Sequence, residues 1–190
     1  IDVDGDGYID LLTEVNWGHS VNAAKRDRGA PVETDFTQQA WDGFIGGRQL
    51  LHETAGTALT DAQMEELKGF RDDAIGGWEN AIASTAIHYI NDTLQDMGDM
   101  GTADYSFGNH AKHWSELKGF ALGLQFNPNS PLTDEHFTTL HALIGDAPVL
   151  EGEAALAAYA DDLIEARGVL MDAYGFDEAN AGDENGENGW

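Results

Sequence analysis

The sequence predicts an all-α fold, a bundle of about six helices in a chain of 190 residues. Ala, Leu, Glu and Gln dominate the chain, and these residues favour helices. Alternating Val, Ile and Thr, which is typical of strands, never persists. Apolar residues instead recur with a period near 3.6, and polar capping residues precede several of these runs.

The first three helices each carry their own signal. They are predicted over about 10–28, 36–53 and 61–97. Asp35 stands where it can cap the second helix, whose apolar positions from Phe36 to Leu51 keep the helical period. Thr60 and Gln63 form a capping box before the third helix.

The last three helices are bounded by stop and start residues. They are predicted over about 106–126, 134–145 and 153–174. Asn127 and Pro128 end the fourth helix, because the residue before a proline avoids helical geometry. Thr133 caps the fifth helix, and Gly175 ends the sixth.

The chain end, 177–190, consists almost entirely of Asp, Glu, Asn and Gly. On its own such a segment is predicted to be disordered. Trp190 is interpreted as merely the end of the chain, the alternative being an anchor to a surface. The predicted organisation is a calcium-binding loop over 1–14, a helical bundle domain over 15–176 and an acidic tail over 177–190.

Charge restricts the classes of partner. The chain has 9 basic and 35 acidic residues, a net charge of −26. Nucleic acid is excluded because phosphate contacts need clustered Lys and Arg. Anionic membrane surfaces are disfavoured for the same reason, whereas divalent cations and a salty habitat are favoured. There is no cysteine, so disulfides and thiolate metal sites are excluded. No apolar run reaches the ~20 residues of a transmembrane helix.

The segment DVDGDGYIDLLTE resembles an EF-hand calcium loop. The predicted calcium ligands are Asp2, Asp4, Asp6, Tyr8 through its backbone carbonyl, Asp10 and Glu14. Gly7 supplies the sharp turn of such loops. Thr13 stands where a bidentate Glu normally closes the site, and Glu14 comes one residue later. The alternative is an acidic turn that caps the first helix. Either role is structural, because a calcium sensor needs paired loops.

A second candidate site lies in GNHAKHWSELKGF, where His110, His113 and Glu116 are spaced three apart. This spacing places them along one helix face. Neutral imidazole with carboxylate suits zinc, iron or another transition metal. Other helices must complete the site. The candidates are His88, Glu79, Asp161 and Glu165. The alternative is a set of buried polar pairs. The pattern is not HExxH, so a metalloprotease is poorly supported.

Two of the few arginines, Arg48 and Arg167, lie inside apolar helical runs. Buried arginines pair with carboxylates through their planar fork of donors. We therefore expect both to form salt links in the core, with Glu116 and Glu79 as the natural partners.

Several segments together resemble a known bacterial family. They are EVNWGHSVNAAKRD, FIGGRQLL, HYIND, HWSELKGFALGLQFNPNSPL and LIGDAP. The chain resembles the C-terminal half of proteins with domain of unknown function 4856, which look like surface or periplasmic lipoproteins, often of marine bacteria. Their helical layout is similar to the imelysin family, some of whose members are associated with iron uptake. The resemblance implies an imelysin-like helical bundle that begins with an EF-hand-like calcium loop.

The imelysin signature is Gly-x-His-x-x-Glu. In this chain His113 and Glu116 match its His and Glu, but Ala111 stands in place of the glycine. The resemblance also implies that the chain is the second half of a longer protein. The expected partner is then the upstream half of the same precursor, or further copies of the chain.

Three functions follow as hypotheses. The first is a calcium-stabilised helical binding protein, extracellular, on the cell surface or periplasmic, associated with iron or other metal acquisition. The second is a structural or assembly subunit of a bacterial surface or filament structure. The third, a hydrolase, ranks last because no nucleophile triad or oxyanion-type glycine loop is present. We therefore expect a protein that is not an enzyme.

Overall fold

The computed structural model describes residues 18–190, which contain six α-helices and no strand. The helices are α1 Gly18–Gly29, α2 Phe36–Glu53, α3 Asp61–Gly98, α4 Phe107–Gly123, α5 Asp134–Ile144 and α6 Glu153–Tyr174. Single 3-10 turns follow at Leu124–Phe126 and Glu178–Asn180. The prediction of an all-α fold is confirmed over these residues. The predicted calcium loop lies outside them.

Local capping signals place the helix ends. The Asp35 side chain accepts from the Gln38 backbone N–H, 3.2 Å away, at the start of α2. Before α3, Thr60 Oγ1 accepts from the Gln63 N–H at 3.3 Å, and Gln63 Oε1 accepts from the Thr60 N–H at 3.0 Å. This is the predicted capping box. Gly175 ends α6 in the left-handed conformation, with φ of 65°.

The chain forms two compact units. Among the described residues, the first comprises 18–28 and 34–81, and the second comprises 29–33 and 82–190. The long helix α3 therefore contributes its first part to one unit and its second part to the other. The predicted boundaries near 14 and 176 stay a prediction.

In the first unit, glycines let α2 and α3 approach closely. A Cβ on Gly43 would lie 2.5 Å from the backbone nitrogen of Ala74, and one on Gly77 would lie 2.8 Å from the carbonyl oxygen of Phe36. Neither position accepts a larger residue without moving backbone. Asp27 near the end of α1 accepts from the Phe36 N–H at 2.9 Å, so α1 is tied to the start of α2.

In the second unit, apolar residues from four helices form the core. The fully buried ones include Ile87, Ile90, Leu117, Leu140, Ile144, Leu163 and Leu170. The buried Tyr159 of α6 adds a polar link among them. Its hydroxyl donates to the Ile144 carbonyl at 2.9 Å and accepts from Trp114 Nε1 at 2.8 Å. Burial raises the pKa of Tyr159 to about 12, so the hydroxyl keeps its proton.

The acidic tail is folded onto the second unit. Trp190 is only 5% exposed, and its ring meets Phe176 edge-on at 4.8 Å. The buried Asn91 of α3 donates to the carbonyls of Ala181 and Trp190 at 2.9 and 3.0 Å. The interpretation of Trp190 as merely the end of the chain is therefore wrong, because the indole packs into the fold.

Neither Arg48 nor Arg167 has the partner predicted for it. Arg167 is buried, but its Nη1 donates to Asn91 Oδ1 at 2.7 Å and to the Asp183 carbonyl at 2.9 Å. The predicted salt link to Glu116 or Glu79 is wrong, since an amide and a backbone carbonyl take its hydrogen bonds. Arg48 is exposed on α2 and is not a core residue.

Candidate functional site

The second part of α3 presents three polar side chains on one face. His88, Asp92 and Asp96 are spaced four residues apart, which places them one turn above another. His88 Nε2 lies 3.4 Å from Asp92 Oδ2. This row faces α4 of the same unit.

His113 of α4 lies against this row. Its Nδ1 is 2.7 Å from Asp96 Oδ2, and its Nε2 is 3.7 Å from Asp92 Oδ2. We name His88, Asp92, Asp96 and His113 the His113 cluster. Its side chains are between 13% and 28% exposed, so water and small ions can reach them while their carboxylates are partly desolvated.

The contact with Asp96 fixes the proton on one imidazole nitrogen. A carboxylate only accepts, so Nδ1 of His113 carries the proton and donates to Asp96. Nε2 then lies on the side of Asp92. Metal-binding histidines in proteins are oriented by such a carboxylate behind them.

Aromatic rings border the cluster. The Tyr89 ring lies 4.9 Å from the His88 ring and 6.0 Å from the His113 ring, measured between centroids. It also stacks on Phe120 at 5.7 Å. These contacts limit the orientations of both imidazoles, which favours a defined arrangement of their nitrogens.

Two of the predicted residues of this helix have different surroundings. His110 is fully buried, and its Nδ1 lies 3.3 Å from the Tyr105 hydroxyl. Burial lowers the pKa of His110. The charge of Asp96 acts to raise this pKa, and the charge of His113 lowers it further. Glu116 is half-buried, and within residues 18–190 its Oε2 has no hydrogen-bond partner. No hydrogen bond or ion pair among the described residues joins His110 or Glu116 to His113.

Of the residues that other helices were expected to contribute, some lie in the His113 cluster and some do not. His88 is part of the His113 cluster. Asp161 and Glu165 are exposed on α6 and make no hydrogen bond to it. Glu79 is buried and belongs to the first unit. Asp92 and Asp96 were not predicted, although the spacing of HYINDTLQD places them on the same helix face as His88.

Between residues 18 and 190, no three His, Asp or Glu side chains already enclose a position suited to an ion. The set His110, His113 and Glu116 stays a prediction. The calcium ligands predicted at the chain start, Asp2, Asp4, Asp6, Tyr8, Asp10 and Glu14, lie outside the described residues.

None of the helices in the described part of the chain has the length and apolar character needed to cross a membrane. Comparison of the chain with family models, with curated proteins and with solved structures found no match.

Proposed function

We propose that this protein is an extracytoplasmic helical binding protein of imelysin-like type that binds a divalent transition metal at the His113 cluster. The observation that carries the proposal is the 2.7 Å contact between Asp96 and His113 Nδ1, which orients the imidazole as carboxylates orient metal ligands. Its role is binding rather than catalysis.

The spacing of the donor atoms supports this proposal. Asp92 Oδ2 lies 3.4 Å from His88 Nε2 and 3.7 Å from His113 Nε2. Nitrogen and oxygen ligands of a tetrahedral ion at about 2.0–2.2 Å are about 3.3–3.6 Å apart. The distances from Asp92 Oδ2 to the two imidazole nitrogens are therefore close to those between ligands of one ion.

The donor types narrow the choice of metal. Two imidazoles and one carboxylate suit zinc, iron and related transition metals, whereas calcium and magnesium prefer oxygen donors alone. Asp96 would orient His113 by its hydrogen bond to Nδ1, and the Tyr89 ring would pack beside both imidazoles. Neither residue would bind the ion.

Calcium has a separate, structural role in this proposal. The ligands would be Asp2, Asp4, Asp6, Tyr8, Asp10 and Glu14, and the ion would tie the chain start to the first helix. An ion that binds only the folded state raises stability in proportion to the logarithm of its concentration. Thermal unfolding with added calcium and with a calcium chelator tests this role, and equal midpoints would reject it.

Calorimetric titration tests the transition-metal site. Zn²⁺ and Fe²⁺ are added separately to the chelator-treated 190-residue chain. Asp92→Asn should weaken binding by about 100-fold or more, because it removes the shared ligand. Asp96→Asn should weaken it by about 10–100-fold, the usual effect of losing an orienting carboxylate. His52→Gln, at an exposed position of α2, serves as the control. Wild-type affinity in Asp92→Asn would reject the proposal.

A second candidate function is assembly into a larger structure. Trp41 and Ile45 lie one turn apart on α2 and are 50% and 39% exposed. Contiguous exposed apolar patches mark contact surfaces. Sedimentation of wild type and of the double variant Trp41→Ser, Ile45→Ser would show association that only the wild type has. A wild type that stays monomeric at high concentration would reject this function.

A further inference from the structure

The first unit contains a cleft of about 870 Å³ between α2 and the first part of α3. Its walls are apolar, and most of them are exposed to solvent. They include Phe44, Leu51, Met64, Phe70, Ile75 and Trp78. Clefts of this size and character accommodate small apolar ligands.

Three cations also line the cleft, namely Arg48, Lys68 and Arg71. The whole chain has only 9 basic residues against 35 acidic ones, so a third of its bases meet at this one place. The charged residues that line the cleft are all cations, although acids outnumber bases in the chain.

These cations are available to a ligand. The Arg48 side chain makes no hydrogen bond or ion pair with any residue of the described 18–190 range. Lys68 has one exposed partner, Glu65 at 2.6 Å, and Arg71 has one, Asp72 at 2.7 Å. Exposed pairs of this kind are weak and exchange readily for another acceptor.

Gly43 and Gly47 of α2 form the floor of the cleft. The helices touch most closely at Gly43, and the contact is looser one turn later at Gly47. A Cβ on Gly47 would meet Phe70 Cβ at 3.5 Å and Leu67 Cδ1 at 3.7 Å, which are ordinary contacts. The cleft follows α3 from Met64 to Trp78, about 21 Å at the helical rise.

We propose that this cleft binds a long-chain fatty carboxylate. The acyl chain would lie along the apolar walls. The exposed apolar surface of the walls and that of the acyl chain would both be removed from water. The carboxylate would bind the three cations, with the Arg guanidinium forks suited to its two oxygens. The apolar chain of such a ligand matches the apolar walls, and its single anionic group matches the three cations.

Calorimetry with palmitate tests the apolar part of the site. Gly47→Leu should weaken palmitate binding by at least about 10-fold, because its side chain fills the floor of the cleft. The matched control is Gly69→Leu on α3, where a Cβ would meet nothing within 4 Å and which does not line the cleft. Both changes raise the local helix propensity.

The neutral alcohol hexadecanol tests the charged part. Wild type should bind palmitate at least about 10-fold more tightly than hexadecanol, and the double variant Arg48→Gln, Arg71→Gln should lose that preference. Arg28→Gln, on α1 and outside the cleft, is the single-charge control. The proposal is overturned if wild type does not bind palmitate, if hexadecanol binds equally well, or if Gly47→Leu binds as wild type does. It is also overturned if Gly47→Leu abolishes self-association instead, because the cleft is then an interface between copies.

Discussion

Tyr159 links three helices of the second unit through one hydroxyl. Tyr159→Phe leaves the Trp114 indole N–H and the Ile144 carbonyl without this partner. Leaving buried polar groups unpaired costs about 1–3 kcal/mol, so we expect the free energy of unfolding to fall by about that amount. Urea unfolding of the two proteins measures the difference. A loss below about 0.5 kcal/mol would contradict the role assigned to the hydroxyl.

His110 makes stability depend on pH. Burial disfavours its charged form and lowers its pKa from 6.5, whereas the unfolded chain takes up the proton at its ordinary pKa. The unfolded state therefore binds more protons below that pH, and the free energy of unfolding falls as the pH falls. His141 of α5 has the same direction, since burial and then Lys118 lower its pKa.

The variant His110→Gln isolates this contribution. We expect wild type to lose more unfolding free energy than the variant between about pH 7.5 and about pH 5. Urea unfolding at the two pH values checks it. All other titratable groups are the same in both proteins, so the difference between them reports on His110. Equal losses in both proteins would contradict the prediction.

The helix α3 holds the tail through the buried amide of Asn91 and through Gln95 Nε2, which donates to the Gly186 carbonyl at 2.6 Å. Asn91→Ala removes the acceptor of Arg167 and the donor to the carbonyls of Ala181 and Trp190. We expect a loss of about 2–3 kcal/mol, because the buried Arg167 loses one of its two acceptors and two tail carbonyls lose their donor. The tail should also be cleaved faster by a protease. Asn109→Ala, exposed on α4, is the control and should change neither quantity. A tail equally protected in Asn91→Ala would contradict this account.

Helix boundaries could be predicted from the sequence because their capping and stop signals are local. Thr60 with Gln63, Thr133 and Gly175 each act within four residues of their own position, and each ends or begins a helix as predicted. The packing of the tail could not be predicted in this way. Asn91 donates to the Trp190 carbonyl from 99 residues earlier, and no local sequence pattern indicates that contact.

The candidate site was predictable only in part for the same reason. His113 was singled out from its own helix, but the carboxylates beside it belong to α3. Which face of α3 meets α4 is decided by packing across the core, and spacing within α4 carries no information on it. The first unit's cleft depends likewise on two helices meeting at Gly43, and a reading of Arg48 from α2 alone placed it in the core.

The charge of the whole molecule determines how the metal proposal must be tested. With 35 acidic residues and a net charge of −26, the chain attracts divalent cations everywhere on its surface. Binding stoichiometry alone would therefore not distinguish a built site from scattered carboxylates. The kind of donor atom does distinguish them, because scattered carboxylates supply only oxygen.

X-ray absorption at the zinc edge of the protein loaded with one equivalent of Zn²⁺ identifies the donor atoms most directly. We predict a shell of nitrogen and oxygen at about 2.0–2.1 Å with the outer scattering of two imidazoles. His88→Gln should reduce the two imidazoles to one, and His52→Gln should leave both. An all-oxygen shell that is the same in all three proteins would contradict the proposal of a transition-metal site at the His113 cluster.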